Sequence, residues 1–274
     1  MEEPRRPDER IRRIGRITGP AEEGLLTYAE YLRIPELLSL QVPRAEPSAH
    51  DEHLFIVVHQ AYELWFKEIL LELEAARDRT FAGDADRARH YLRRVHAIER
   101  VLIEQIDVLE TMTPQEFLEF RSNLAPASGF QSAQFREIEC LSGLKEPRHL
   151  ADVATSPDER ARLERRLAEP SLWDAFVAFL EGRGLPMPPD DPGIRRESLL
   201  RMAREPAFRE AFALSERLLD HDEAFAAWRL RHVLMVEREI GAKRGTGGSS
   251  GVAYLRGTLD KRFYPELWDL RSHL

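Results

Sequence analysis

The sequence has little cysteine, no long apolar run and no excess of basic residues. Its single cysteine, Cys140, in 274 residues excludes an internal disulfide and any zinc or iron–sulfur site built from several thiolates. One cysteine is also typical of a reducing compartment, so we expect a cytoplasmic protein. No stretch approaches the roughly 18 apolar residues that a membrane span needs, and we therefore expect no membrane partner.

The charge balance is mildly acidic. Lysine and arginine number 40 against 48 aspartate and glutamate, a net charge of −8, and no basic run is interleaved with aromatics, so nucleic acid is not an expected partner. Residues 1–20 carry charges of both signs and three prolines without the apolar core of a signal peptide. We expect them to form a flexible tail, and residues 21–274 to form a single domain.

Helical periodicity runs through the chain, and no sustained alternation of β-branched residues interrupts it. Apolar positions recur at spacings of three and four, as on the buried face of a helix. Thr113, followed by Pro114 and Glu116, is a capping box that marks a helix start. The pattern predicts an all-α fold with helices at about 27–41 (broken at Pro35), 51–80, 85–109, 113–122, up to 141, two or three within 156–219, 222–240, and a short C-terminal tail.

Two of the nine histidines lie on apolar helical faces. His59, in LFIVVHQAYELWF, shares a face with Phe55 and Tyr62, and His232, in WRLRHVLMVE, shares one with Trp228. A single buried histidine is more often a hydrogen-bonded core residue than a metal ligand. Six others are discounted because they lie near predicted helix ends or in loops (His50, His53, His149, His221) or on a heavily charged helix (His90, His96).

Elimination narrows the kind of metal site that these histidines could form. A carboxylate di-iron bundle needs the Glu-x-x-His motif twice, and the only match, Glu146 to His149, contains a proline. The His-Glu-x-x-His zinc motif is missing. One imidazole on an apolar helix face is still compatible with haem bound through a single axial ligand. The composition permits that site without requiring it.

Two polar features have both a binding and a structural interpretation. Arg121, one turn after Phe117, has the chemistry to grip a carboxylate while the ring packs an apolar group. Taken by itself, a surface pair with Glu116 or Glu119 is the favoured interpretation of Arg121. The sequence GTGGSSG, residues 245–251, offers amides and hydroxyls to an anion, or it is a linker; it lacks the lysine of a phosphate-binding loop. The residues alone leave both pairs of alternatives open.

Four stretches of the chain form a distinctive set: LTYAEYLRIPELLSLQ, DEHLFIVVHQAYELWFKEI, FRSNLAPASGFQSAQFREIE and RHVLMVEREIGAKRGTGGSSGVAYLRGT. Together they resemble the tryptophan 2,3-dioxygenase family, and the last two are the most specific. The resemblance implies an all-helical enzyme with one haem b per subunit, assembled as a homotetramer. Its reaction would be the insertion of both atoms of O2 across the indole C2–C3 bond of L-tryptophan to give N-formyl-L-kynurenine, the first step of the kynurenine pathway.

The resemblance also implies roles for the residues that match the family's motifs. His232 would be the axial iron ligand, and His59, on the opposite side, would be the catalytic residue that accepts the indole N–H in its neutral form. The indole would lie between Phe55 and Phe117. The remaining implied roles are Arg121 at the substrate carboxylate, Thr246 at the ammonium or carboxylate end under a closing loop, Ser128 near the haem edge, and Tyr28 and Tyr31 entering the pocket from a neighbouring subunit.

Two rival functions are distinguished by particular residues. An indoleamine dioxygenase-like enzyme would accept a wider set of indoles and is not expected to have a distal histidine, so His59, the two N-terminal tyrosines and the glycine loop favour the tryptophan-specific enzyme. A non-catalytic helical haem sensor for a diatomic gas would have no need of Arg121 and Thr246.

Overall fold

The computed structural model describes residues 26–148, 150, 156–248 and 250–274, and in these ranges the chain is helical with no β-strand. The all-α prediction is therefore confirmed. The chain divides into two compact units, one ending at Val42 and one running from Pro43 to Leu274. The predicted tail at 1–20 lies outside the described residues, and the single domain 21–274 stays a prediction.

The first unit contains two short helices, α1 (Tyr28–Leu32) and α2 (Ile34–Leu37). Thr27 begins α1 with a capping box, in which its side chain accepts from the backbone of Glu30 and the Glu30 carboxylate accepts in return. Arg33 separates the two helices in the left-handed region, at φ 51°. Pro35 lies in the first turn of α2, where its missing N–H has no intrahelical partner to lose. The predicted broken helix is confirmed.

Two long helices begin the second unit, α3 (His50–Phe81) and α4 (Ala85–Leu109). They form an antiparallel pair because only residues 82–84 connect them. Gly83 takes φ +78° in that turn, and the Asp84 side chain caps α4 by accepting from the Arg87 amide. The periodicity predicted both helices to within a residue or two at each end.

Five shorter helices follow in the described part of the chain up to Arg204, and most begin with the caps that their sequences indicate. Thr113 and Glu116 form the predicted capping box, and Ser156 and Ser171 begin their helices in the same way. Three helices lie between residues 156 and 208, in agreement with the two or three predicted. The five are α5 (Pro114–Leu124), α6 (Ala133–Ser142), α7 (Pro157–Ala168), α8 (Leu172–Glu181) and α9 (Pro192–Arg204).

The last long helix, α10 (Arg209–Ile240), corrects the predicted boundary near Asp222. Asp222 is an acceptable N-cap residue, but it lies inside α10 and is fully buried. Its carboxylate accepts from the backbone amides of Phe263 and Tyr264 and from the Trp268 indole N–H. It therefore fastens the C-terminal segment, which contains α11 (Val252–Arg256) and α12 (Pro265–Leu270), to the middle of α10.

The placement of His221 near a helix end is also wrong. His221 lies in mid-α10 with no exposed surface, its Nδ1 2.6 Å from a Glu99 carboxylate oxygen and its Nε2 2.8 Å from the Ser142 hydroxyl. The imidazole thus links α10 to α4 and α6 through satisfied hydrogen bonds, the ordinary arrangement for a buried polar group.

The core of the second unit lies where α3, α4 and α10 pack along one another. Fully buried aliphatic side chains from all three helices fill it, among them Ile69, Leu73, Leu92, Ile106 and Leu214. Burial of each such side chain stabilises the fold by about 1.5–3 kcal/mol. None of the described helices has the length and apolar character to span a membrane.

Candidate active site

A cavity of about 280 Å³ opens among α3, α4, α5, the 128–139 segment, α10 and the residues after it. Its walls are largely apolar, with a few polar groups between them, as is usual for small-molecule sites. Seven of the nine residues predicted for the site line this one cavity: Phe55, His59, Phe117, Arg121, Ser128, His232 and Thr246.

His59 lies on α3 and is held in one tautomer by its own helix. Its Nδ1 is 2.7 Å from the Phe55 carbonyl oxygen. A carbonyl only accepts, so Nδ1 carries the proton and donates, and Nε2 keeps its lone pair. Burial lowers the pKa of His59 below its ordinary 6.5, outweighing the Phe55 hydrogen bond and the charge of Glu63. The side chain is therefore a neutral imidazole with one acceptor nitrogen.

His232 reaches the same cavity from α10. Burial and the neighbouring His59 lower its pKa to about 4, so it is neutral at physiological pH. Among the described residues, no group of three or more histidine, cysteine, aspartate or glutamate side chains is arranged to hold a metal ion. The few donor side chains around the cavity therefore suit a porphyrin iron, because the porphyrin supplies most of its ligands, better than a bare metal ion, which takes its ligands from the protein.

Two phenylalanine rings, Phe55 and Phe117, line the cavity, and a third, Phe120, packs against them. Phe55 and Phe117 stack with centroids 5.8 Å apart and planes at 24°, and Phe120 meets both rings edge-on. A flat ring inserted between two others needs about 7 Å, twice the contact distance of carbon atoms. A sandwich of the indole by Phe55 and Phe117 requires these rings to separate, and it stays a prediction.

Arg121 lies at the cavity wall next to the glycine loop. One of its guanidinium N–H groups donates to the carbonyl oxygen of Arg244, directly before the loop. Arginine has five N–H donors, so after this bond other N–H groups of Arg121 remain to bind a carboxylate. The Glu116 carboxylate accepts from the Thr113 backbone at 2.7 Å in the capping box. The role of Arg121 at a substrate carboxylate, against surface pairing with Glu116 or Glu119, stays a prediction.

The glycine loop packs against the turn that carries Ser128. The Thr246 hydroxyl donates to the Ala127 carbonyl at 2.7 Å. A Cβ at Gly247 would stand 2.8 Å from the Ser128 Cβ, and one at Gly251 would stand 2.5 Å from the Lys243 carbonyl oxygen. Gly251 also has φ +65°, a conformation that favours glycine. The described part of the loop, all of 245–251 except Ser249, therefore packs closely against its neighbours and forms part of the cavity wall.

A buried ion cluster at the cavity wall was missed by the sequence interpretation. Glu139 accepts from Arg136 at 2.6 Å and from Arg229 at 2.7 Å, and all three side chains are at least 94% buried. Burial alone would raise the pKa of Glu139, but the two arginines outweigh it and hold the pKa below its ordinary value. The spacing of Arg136 and Glu139 is that of a common surface pair, so only the FREIE resemblance pointed to them.

Glu239 is a second missed residue of the cavity wall. It lies two helical turns after His232 on the same face of α10, and its carboxylate oxygens are buried without a hydrogen-bond partner. Burial raises its pKa, and the charge of Glu110 adds to the effect against that of Arg238. The seven-residue spacing from His232 is the sequence signal that could have identified it.

The two remaining predicted residues, Tyr28 and Tyr31, lie on α1 in the first unit. They are 77% and 72% exposed. Their predicted entry into the pocket of a neighbouring subunit stays a prediction.

Comparison with known proteins gives a consistent assignment. A family model described as tryptophan 2,3-dioxygenase matches residues 18–181 and 199–274. A tryptophan 2,3-dioxygenase of Nocardioides sp. is 57% identical over 256 residues, 91% of this chain and 95% of that protein. Proteins of the same name from Herpetosiphon aurantiacus and Anaeromyxobacter sp. are 49% and 46% identical, over 91% and 93% of this chain and 98% of each relative.

Proposed function

The chain belongs to the tryptophan 2,3-dioxygenase family, and on that premise we propose that it inserts both atoms of O2 across the indole C2–C3 bond of L-tryptophan and releases N-formyl-L-kynurenine. One observation carries the proposal. Two neutral imidazoles, His59 and His232, are presented by different helices to a single apolar cavity. One is free to bind iron and the other to bind substrate.

The residues around the cavity fit haem b. The His232 imidazole is neutral and makes no hydrogen bond with a described residue, so it is available as the axial ligand. Arg136 and Arg229 bring two positive charges against the single negative charge of Glu139, and this surplus suits the carboxylates at the edge of haem b. Bound haem would supply the activation of O2.

L-Tryptophan presents a flat apolar ring, one ring N–H and a zwitterion. The Nε2 lone pair of His59 would accept the indole N–H, because Nδ1 is already committed to the Phe55 carbonyl. The aromatic wall with Phe117 would pack the ring. Arg121 would pair with the carboxylate, and the Thr246 hydroxyl, which donates to a backbone carbonyl, keeps its lone pairs for the ammonium group.

The contribution of these residues to the reaction is orientation and the exclusion of water. The neutral His59 fixes the indole N–H, and with it the adjacent C2 and C3 atoms, at a defined place in the cavity. The glycine loop at 245–251 would close the site from solvent, with Ser128 beneath it near the haem edge. None of these roles needs a change of protonation of the protein.

We also propose a homo-oligomer, a homotetramer by family analogy. An apolar stripe on α3 supports it: Val57, Leu64 and Leu71 are spaced by seven residues and are 41%, 56% and 59% exposed. Exposed apolar residues at a heptad spacing are typical of a helix face that another helix covers. The exposed Tyr28 and Tyr31 would then reach a neighbouring site. A cytoplasmic location, which the single cysteine favours, is a further proposal.

Product formation with matched substrates tests the function. The haem-loaded protein is incubated under reducing conditions with L-tryptophan, D-tryptophan or tryptamine, and formylkynurenine-type products are measured by absorbance. We expect kcat/KM for tryptamine to be at least tenfold below that for L-tryptophan, because tryptamine lacks the carboxylate that Arg121 binds. Equal turnover of all three would favour the broad indoleamine-type enzyme, and no product from any of them would refute the proposal.

A further inference from the structure

Trp228 lies one helical turn before His232 on α10, and its indole stacks on the His232 imidazole. The ring centroids are 4.9 Å apart and the planes differ by 7°. No other aromatic ring pair of the described residues is as nearly parallel. The stack covers one face of the imidazole, and His232 also lines the cavity.

The stack matters because no described residue forms a hydrogen bond that would orient the His232 ring. A histidine that binds a metal through one nitrogen generally donates its other N–H to a carboxylate, a carbonyl or water, and this fixes the plane of the ring. Neither nitrogen of His232 is hydrogen-bonded by a described residue. The parallel Trp228 indole limits rotation of the His232 ring about its Cβ–Cγ bond.

Trp228 is itself held on several sides. Phe135 and Phe225 contact the indole with centroids 5.3 and 6.3 Å away, and Tyr62 meets it edge-on at 6.1 Å. Tyr62 lies three residues after His59 on α3. Its hydroxyl stands 3.5 Å from the Trp228 Nε1 and donates to the Leu102 carbonyl at 2.7 Å. The indole plane is thus fixed by α3 and α6 as well as by α10.

We propose that Trp228 is a positioning residue, which sets the plane of the His232 imidazole by ring stacking. The inference rests on the proposed function, since it requires His232 to bind haem iron. Loss of the stack frees the ring to rotate and weakens its overlap with the iron.

The iron–histidine stretching band of the ferrous haem protein, measured by resonance Raman spectroscopy, tests the proposal. Trp228→Leu removes the flat ring, and we expect its band to shift and broaden; Trp228→Phe retains a flat ring, and its band should stay close to that of the wild type. Phe176→Leu is the matched control, because it truncates a fully buried aromatic residue of α8 whose ring contacts, Trp173 and Phe179, do not include Trp228 or His232. Its band should also be unchanged.

The outcomes separate the inference from the function on which it rests. An unchanged band in Trp228→Leu, or an equal shift in Phe176→Leu, would overturn the positioning role. If Trp228→Leu does not fold, as judged by circular dichroism, Trp228→Met fills the volume without a flat ring and replaces it in the comparison with Trp228→Phe. A wild-type ferrous protein with no iron–histidine band would contradict the proposed function itself.

Discussion

The tautomer and pKa of His59 predict how L-tryptophan binding depends on pH. The indole N–H needs the Nε2 lone pair, so protonation of His59 would abolish the hydrogen bond. A histidine with the ordinary pKa of 6.5 would be about nine-tenths protonated at pH 5.5, and the affinity for L-tryptophan would fall roughly tenfold between pH 7.5 and pH 5.5. Burial lowers the pKa of His59, so we expect a clearly smaller loss.

Spectroscopic titration of the haem protein with L-tryptophan between pH 5.5 and 7.5 measures this dependence. The carboxylate and ammonium groups of the ligand do not titrate in that window, and His59→Gln provides the control, because an amide oxygen accepts the N–H without titrating. A tenfold loss of affinity with a midpoint near 6.5, abolished in His59→Gln, would refute the burial argument. The lowered pKa of His59 also makes the folded protein less stable as the pH falls below 6.5, because the unfolded chain then binds a proton at His59 that the folded chain does not.

Four further substitutions have expected outcomes. Arg121→Leu should raise KM for L-tryptophan at least tenfold without changing the haem affinity measured by hemin titration; equal loss of both would make the residue structural. Glu139→Gln should lower the free energy of unfolding in urea by about 3–5 kcal/mol, because it leaves buried arginine charge uncompensated. Gly251→Ala should weaken L-tryptophan binding while helix content by circular dichroism is retained, since its Cβ would meet the Lys243 carbonyl at 2.5 Å; unchanged affinity would exclude a role for loop packing. Glu239→Met should raise the free energy of unfolding by about 1–3 kcal/mol at pH 7 and by less at pH 4. Burial raises the pKa of the Glu239 carboxyl, so the folded state is disfavoured where the unfolded chain ionises this group, and at pH 4 the unfolded chain ionises it less.

The sequence alone predicted what depends on local periodicity and caps. The ends of α4 and the Thr113 capping box follow from residues within a few positions of each other. Asp222 satisfies the same local rule for a helix start, but a segment 41 residues further along the chain uses its carboxylate and the helix continues through it. A tertiary contact of this kind overrides a local preference and leaves no periodic signal.

The site was predictable only in part for the same reason. His59 and His232 differ from their surroundings, since each is a polar residue on an apolar face. His221 is equally buried, but its partners lie 79 and 122 residues away, so nothing near it in the sequence distinguished it from a histidine at a helix end. The glycine loop could be interpreted as a linker until the close approaches at Gly247 and Gly251 gave these two glycines a steric reason.

Haem binding by His232 is tested most directly by the absorption spectrum of hemin-reconstituted protein, wild type against His232→Ala. The wild type should give a sharp Soret band with one haem per chain, and reduction should give a spectrum that responds to added L-tryptophan. His232→Ala should lose most of the bound haem, and added imidazole should restore it. Haem bound equally well by His232→Ala, with an unaltered spectrum, would contradict the account.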